Sequence, residues 1–216
     1  MDRVKNCEEK VGELFGGKPV GDEGSDAGFM HILQRFIFGE VCYTGSLDNR
    51  MRELITLTVL TVNQTLPQLK SHTGACLHIG ISPVEIRETV YQCAPFIGFP
   101  KTLNAIAAMN EVFSANGIEL PLDDTETVTE ADRYEKGLAL QALIYGNEIK
   151  ERYTWLPGEF AEAVPKFLTG LCFSDFMTRK GLNGKDRELL TVVCLAAFGG
   201  AEVQVRSHVE GALKAG

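Results

Sequence analysis

Two blocks in this 216-residue chain set a carboxylate ahead of an imidazole, and they do so twice. Arg52-Glu53-Leu54-Ile55-Thr56 is followed by Gln68-Leu69-Lys70-Ser71-His72, and Arg187-Glu188-Leu189-Leu190-Thr191 is followed by Gln204-Val205-Arg206-Ser207-His208. The spacing from glutamate to histidine is 19 residues in the first copy and 20 in the second, so one residue has entered the second copy's loop. Histidine is the side chain whose proton is exchangeable near neutral pH, and a neighbouring carboxylate can fix its tautomer. Gln68 and Gln204 stand four residues before their histidines, on the same helical face, where an amide can hydrogen-bond a ligand or the ring. Arg52 and Arg187 can pair with the adjacent glutamates or clamp the carboxylate of a substrate. His31 and His78 have no comparable setting and read as surface or packing residues.

Each of these residues also has a plainer reading. His72 shares its stripe with Leu69, Cys76 and Ile79, and a histidine on an apolar stripe is more often a satisfied packing residue than a catalyst. Glu53 and Glu188 in a helix's first turn suit the helix dipole as solvated carboxylates. What favours chemistry is that Glu, Gln and His persist together in both copies while neighbouring positions, such as Cys76 against Ala212, have drifted apart.

The elements that must carry these residues are helices. Residues 2 to 15 place Val4, Cys7, Val11, Leu14 and Phe15 on one stripe, and Gly16-Gly17-Lys18-Pro19 ends it. Phe29 to Cys42 has helical period again, Asp48 is a natural N-cap for a helix to Asn63, and another helix runs from Gln68 to His78 before Gly80. Ser82-Pro83-Val84-Glu85 combines an N-cap serine, a proline at the first helical position and a glutamate three residues on. Pro95 and Gly98 predict a break, with a further helix from Lys101 to Phe113. Nothing alternates with the period of a strand, so the fold class is all-α and internally duplicated. The organisation expected is an N-terminal helix and linker over 1–28, a first repeat over 29–113, a linker over 114–133, and a second, incomplete repeat over 134–216.

Bulk properties exclude several partners. The net charge of -8, with no run of basic residues, argues against a nucleic-acid partner, because phosphate binding needs clustered positive charge. The amino terminus is charged from its second residue and does not read as a secretory signal, and no apolar run is long enough to span a membrane. Six scattered cysteines without a C-x-x-C pair or zinc-ligand spacing point to a reduced, cytoplasmic location and no metal.

Taken in order, Arg52-Glu53-Leu54, Gln68-x-x-x-His72, Gly80, Ser82-Pro83-x-Glu85 and Gly98-Phe99-Pro100 with Asn104-Ala105 resemble the carboxymuconolactone decarboxylase family over residues 29 to 113, and residues 164 to 216 resemble the front part of a second domain. The resemblance implies an alkylhydroperoxidase-like helical bundle. In the family's peroxidase branch two cysteines stand seven and four residues before the histidine. Those positions here are Thr65 and Gln68, and Ala201 and Gln204, so thiol-dependent peroxide reduction is not expected. The decarboxylase branch removes carbon dioxide from a small carboxylated, unsaturated lactone without a cofactor, so the resemblance implies a cofactor-independent lyase or isomerase acting on such a lactone or a related acid. By that resemblance Glu53, His72, Glu188 and His208 would be catalytic, and Arg52, Gln68, Arg187 and Gln204 would bind substrate.

Two other functions stay open: an antioxidant protein using Cys76 or Cys93, and a non-enzymatic helical assembly in which Glu, Gln and His form a buried network. A homo-oligomer is expected, since short helical repeats do not bury both faces alone and the second copy stops short of the first copy's last helices. A pocket is expected at His72, with replacement of His208 the milder change.

Overall fold

A computed structural model describes residues 2–146 and 151–215. Among them there is no strand, and the chain has the all-α, alkylhydroperoxidase-like character expected. Helix α1 (Arg3–Phe15) is capped by Asp2, whose carboxylate accepts from the amides of Val4 and Lys5, and it ends at Gly16 in the left-handed conformation, φ 68°. Helix α2 (Ala27–Ile37) is shorter than its period suggests. At Gly39 the chain passes so close to α1 that a Cβ would lie 2.2 Å from the Arg3 carbonyl oxygen, and a single 3₁₀ turn, Val41–Tyr43, takes up the slack.

Helix α3 (Asn49–Asn63) starts where Asp48 accepts from the Met51 amide at 2.8 Å. Helix α4 (Leu66–His78) follows after a two-residue turn and packs antiparallel to it through Leu54, Leu57, Leu69 and Cys76, each fully buried. The expected cap of α5 (Pro83–Tyr91) is complete: Ser82 accepts from the Glu85 amide while Glu85 accepts from the Ser82 amide. Pro95 and Gly98 confine α6 to Ala94–Ile97, and α7 (Phe99–Ala115) closes the core with Ala105, Met109 and Phe113.

After the linker, α8 (Arg133–Tyr145) packs on a wider π-helical stretch over Leu168–Met177, which continues α9 (Phe160–Phe167). This contact is tight at Gly137, where a Cβ would fall 2.0 Å from the Ser174 hydroxyl. Helix α10 (Gly184–Phe198), capped by Asn183, and α11 (Glu202–Ala215) then repeat the α3–α4 hairpin. Helices α3 and α10 pack on each other, and Arg50 on α3 bridges Glu85 at 2.8 Å and Asp186 at 2.9 Å, tying the two halves together.

The correspondence extends upstream of the motifs. Arg3 at the start of α1 pairs with Glu40, and Arg133 at the start of α8 pairs with Asp175. Phe15 at the end of α1 meets Phe38 edge-on, and Tyr145 at the end of α8 meets Phe173 in the same way. Helices α1 and α8 therefore hold equivalent places, a relation invisible in their sequences, which share little beyond an initial Arg and a terminal aromatic-Gly.

Candidate active site

Each glutamate reaches its histidine. Glu53 sits in the second turn of α3 and is 3% exposed; its Oε2 lies 2.7 Å from His72 Nδ1 on α4. Glu188 on α10 is fully buried, and its Oε2 lies 3.0 Å from His208 Nδ1 on α11. A hairpin of two helices with a short turn brings an early residue of the first beside the middle of the second, so the long spacing in sequence closes to hydrogen-bond distance. These carboxylates are not the solvated first-turn residues of the plainer reading. With Nδ1 held by the carboxylate, Nε2 is the ring nitrogen left for other chemistry.

The arginines behave otherwise. Arg52 turns away from Glu53 and donates to the carbonyls of Leu47, Val41 and Thr44, fastening the loop before α3. Arg187, 1% exposed, pairs with Glu88 Oε2 at 3.1 Å, donates to Gln92 Oε1 at 2.9 Å and caps the carbonyl of Arg179 at 2.8 Å. The guanidinium is buried and ties α5 to α10, its Nε alone being left without a partner among the described residues, and Arg187 is not among the residues lining the pocket at His208. Gln68 and Gln204 are both exposed, and Gln204 lines a pocket.

That pocket, about 580 Å³, lies at His208 and not at His72. Its walls come from both halves: Phe96 of α6 presents its edge to the His208 ring at 5.9 Å, and Cys172 and Phe173 of the π-helical stretch, Leu195 of α10 and Ser207 of α11 complete the floor. Arg152, Tyr153 and Trp155 of a 3₁₀ turn (Glu151–Tyr153) and its sequel line the mouth. A cavity of about 440 Å³ beside α4 is lined by Phe15, Ser71, Gly74 and His78, and His72 is not among its lining residues. The sequence pointed to His72, whereas the cavity at His208 takes one wall from Pro95 and Phe96 of α6 in the first half.

Sequence reasoning passed over Arg152, Phe96 and Tyr145. The Tyr145 hydroxyl lies 2.7 Å from Glu188 Oε2 and 2.6 Å from His208 Nδ1. The available signal was the shared aromatic-Gly ending of residues 15–16 and 145–146, too short to register alone.

Their surroundings hold Cys76, Cys93 and Cys172 toward the protonated thiol. All six cysteines are free, and burial pushes Cys76 far up and Cys172 up to about 12, the Glu188 charge adding to the latter. Cys93 is raised by its hydrogen bond with Cys194 and by burial. Neither Cys76 nor Cys93 can supply thiolate near neutral pH, which removes the support for an antioxidant reading.

The family model described as "Carboxymuconolactone decarboxylase family" matches residues 27–111 and again 162–216. The 4-carboxymuconolactone decarboxylase of Acinetobacter baylyi is 31% identical over 90 residues, covering 42% of this chain and 67% of that protein. Nitrosuccinic acid decarboxylase of Metarhizium robertsii is 28% identical over 75 residues, covering 35% of this chain and 52% of that protein, so the chain spans about two thirds and one half of these relatives.

Proposed function

We propose, from the premise that this chain belongs to the carboxymuconolactone decarboxylase family, that it is a cofactor-independent decarboxylase whose working site is at His208. The observation that carries this reading is an imidazole held through Nδ1 by a buried carboxylate at a pocket lined by one guanidinium. The substrate class is a small acid whose leaving carboxylate neighbours an electron sink, such as the conjugated carbonyl of an unsaturated lactone or a nitro group. The bond to the carboxylate breaks, its electron pair passes into the sink, carbon dioxide departs, and His208, having taken a second proton at Nε2 from solvent to become an imidazolium, returns that proton to the resulting carbanion equivalent. Glu188 orients the ring and compensates its charge while the proton is aboard. Arg152 at the mouth is placed to hold a remaining carboxylate and to stabilise the enolate charge. Phe96, Phe173 and Leu195 keep water from the carbanion.

Glu53 and His72 repeat the geometry and form a second candidate site. No helix among the described residues is long and apolar enough to cross a membrane, and we place the enzyme in the cytoplasm. Self-association has a candidate surface in Phe29, Ile32 and Phe36 of α2, exposed by 65%, 70% and 55%.

The test is turnover of 4-carboxymuconolactone and of nitrosuccinate by the wild type, His208→Gln and His72→Gln, with circular dichroism alongside. His208→Gln abolishes turnover with the helical signal intact, and His72→Gln has the smaller effect. Full activity in His208→Gln would defeat the assignment, and an inactive wild type with both acids would defeat the substrate class.

A further inference from the structure

The two Glu–His pairs are not chemically alike, and the difference lies in two residues outside the repeated motifs. Phe15 stands edge-on to His72, ring centroids 5.5 Å apart, and Tyr145 stands edge-on to His208 at 5.3 Å. Each ends its helix one residue before a left-handed glycine, Gly16 or Gly146, and each is braced by an equivalent phenylalanine. One place in the fold thus carries a ring without a hydroxyl in the first copy and a phenol in the second.

Room for that hydroxyl comes from the opposite helix. Gly211 lies three residues after His208, and a Cβ there would stand 2.6 Å from the Tyr145 oxygen and 3.0 Å from Glu188 Oε2. Three residues after His72 the position is filled by Ala75, which is 2% exposed. Phe goes with Ala and Tyr goes with Gly: the methyl of one copy stands in for the hydroxyl of the other. Two compensating differences on two helices have a single effect, which is to seat a phenol between the carboxylate and the imidazole.

We infer that Tyr145 is a positioning residue of the His208 site and that Gly211 is what admits it; the inference rests on His208 as the proton donor. The phenol donates to Glu188 Oε2, and its oxygen accepts from Nδ1–H of the ring. Glu188 Oε2 accepts from the same nitrogen, so two acceptors converge on Nδ1. That proton stays on Nδ1, so Nε2 is the nitrogen that takes a proton from solvent and gives it up in the pocket. Glu188 Oε1 is buried with no hydrogen-bond partner among the described residues, so the carboxylate's bonding is concentrated on Oε2, where both partners meet. Burial and the Glu188 carboxylate hold the phenol far above its ordinary range, so it stays a donor wherever the enzyme works. At His72 the carboxylate performs this task alone.

The test compares Tyr145→Phe, Gly211→Ala and the double variant, which recreates the first copy's pair and refills the vacated volume. Long-range ¹⁵N–¹H spectra of the imidazoles report the tautomer of His208 and His72 without substrate. The expected result is an Nδ1–H tautomer more fully populated at His208 than at His72 in the wild type and reduced to the His72 level in the double variant, with His72 unchanged and the melting temperature retained. With 4-carboxymuconolactone the double variant loses about 10–100-fold in kcat, the cost of removing an outer partner of a working imidazole, with KM little affected. Gly211→Ala alone, which forces the hydroxyl out, lowers the Nδ1–H population in the same way. If the double variant keeps the wild-type tautomer, or if it restores kcat lost by Tyr145→Phe along with stability, the hydroxyl only packs and the inference fails. If the tautomer changes as expected while His208→Gln leaves turnover untouched, the positioning holds and the catalytic assignment falls instead.

Discussion

Exchanging either member of the Glu88–Arg187 pair tests whether Arg187 is a structural tie, because the two exchanges have unequal costs. Glu88 is fully buried and accepts from Arg187 at 3.1 Å, from Arg179 at 3.1 and 3.2 Å, from Arg87 at 3.4 Å and from the Thr125 hydroxyl at 2.7 Å. Arg187→Met leaves that carboxylate with two guanidiniums and a hydroxyl, and it relieves the burial that lowers the Arg187 pKa. The guanidinium's four hydrogen bonds, to Glu88, Gln92 and the carbonyls of Arg179 and Lys180, are lost, offset by the desolvation recovered and by the guanidiniums that stay on Glu88, for a net cost of about 2 kcal/mol. Glu88→Gln instead leaves Arg187 and Arg87 facing a neutral amide, while Arg179 keeps Asp124 at 3.0 Å; for the buried Arg187 this is the case of a charge stripped of its partner, at about 4 kcal/mol. For a chain of this size each kcal/mol moves the melting temperature by about 2–4 °C, so the drops are about 4–8 °C and about 8–16 °C. Calorimetry reads both, with lactone turnover measured at 25 °C on the same samples. Equal or reversed losses would refute the reasoning. Unchanged melting with lost turnover in Arg187→Met would return that residue to substrate binding.

Ser82→Ala removes the hydroxyl that accepts from the Glu85 amide and destabilises the protein by about 1 kcal/mol, a fall of about 2–4 °C in melting temperature, with turnover at 25 °C unaffected. Alkaline stability carries a sign set by the buried thiols. Cys76, Cys93 and Cys172 have folded pKa values above the unfolded value of about 8.5, Cys172 near 12, so their contribution is whole below about pH 8.5 and is lost as pH rises toward 12. Melting temperature falls between those limits in the wild type, and Cys172→Ala makes the fall shallower; a flat profile would show that these thiols are not desolvated.

Much of this protein is legible in its residues. The stripes of α1, α3 and α4, the caps Asp48 and Ser82, and the break at Pro95 are local physics, written within a few positions of where they act. The Glu–His pairs are nearly local, because a helical hairpin with a short turn determines which residues of its two arms meet. Where α2 stops was not legible, since the reason is the carbonyl of Arg3 pressed against Gly39, far away along the chain. The fates of Arg52 and Arg187 were not legible either. Both precede a glutamate in the same motif, yet one meets loop carbonyls and the other a carboxylate on α5, and only the tertiary placement of Glu88 beside Arg187 makes that distinction. The pocket is the strongest case: a cavity is a property of surfaces brought together, and this one needs Phe96 from the first half, Tyr145 from α8 and His208 from α11. Sequence alone therefore determined which groups could move a proton, through their types and helical spacing. Tertiary structure decided which histidine has room for a substrate beside it, because volume and desolvation arise only where distant helices meet.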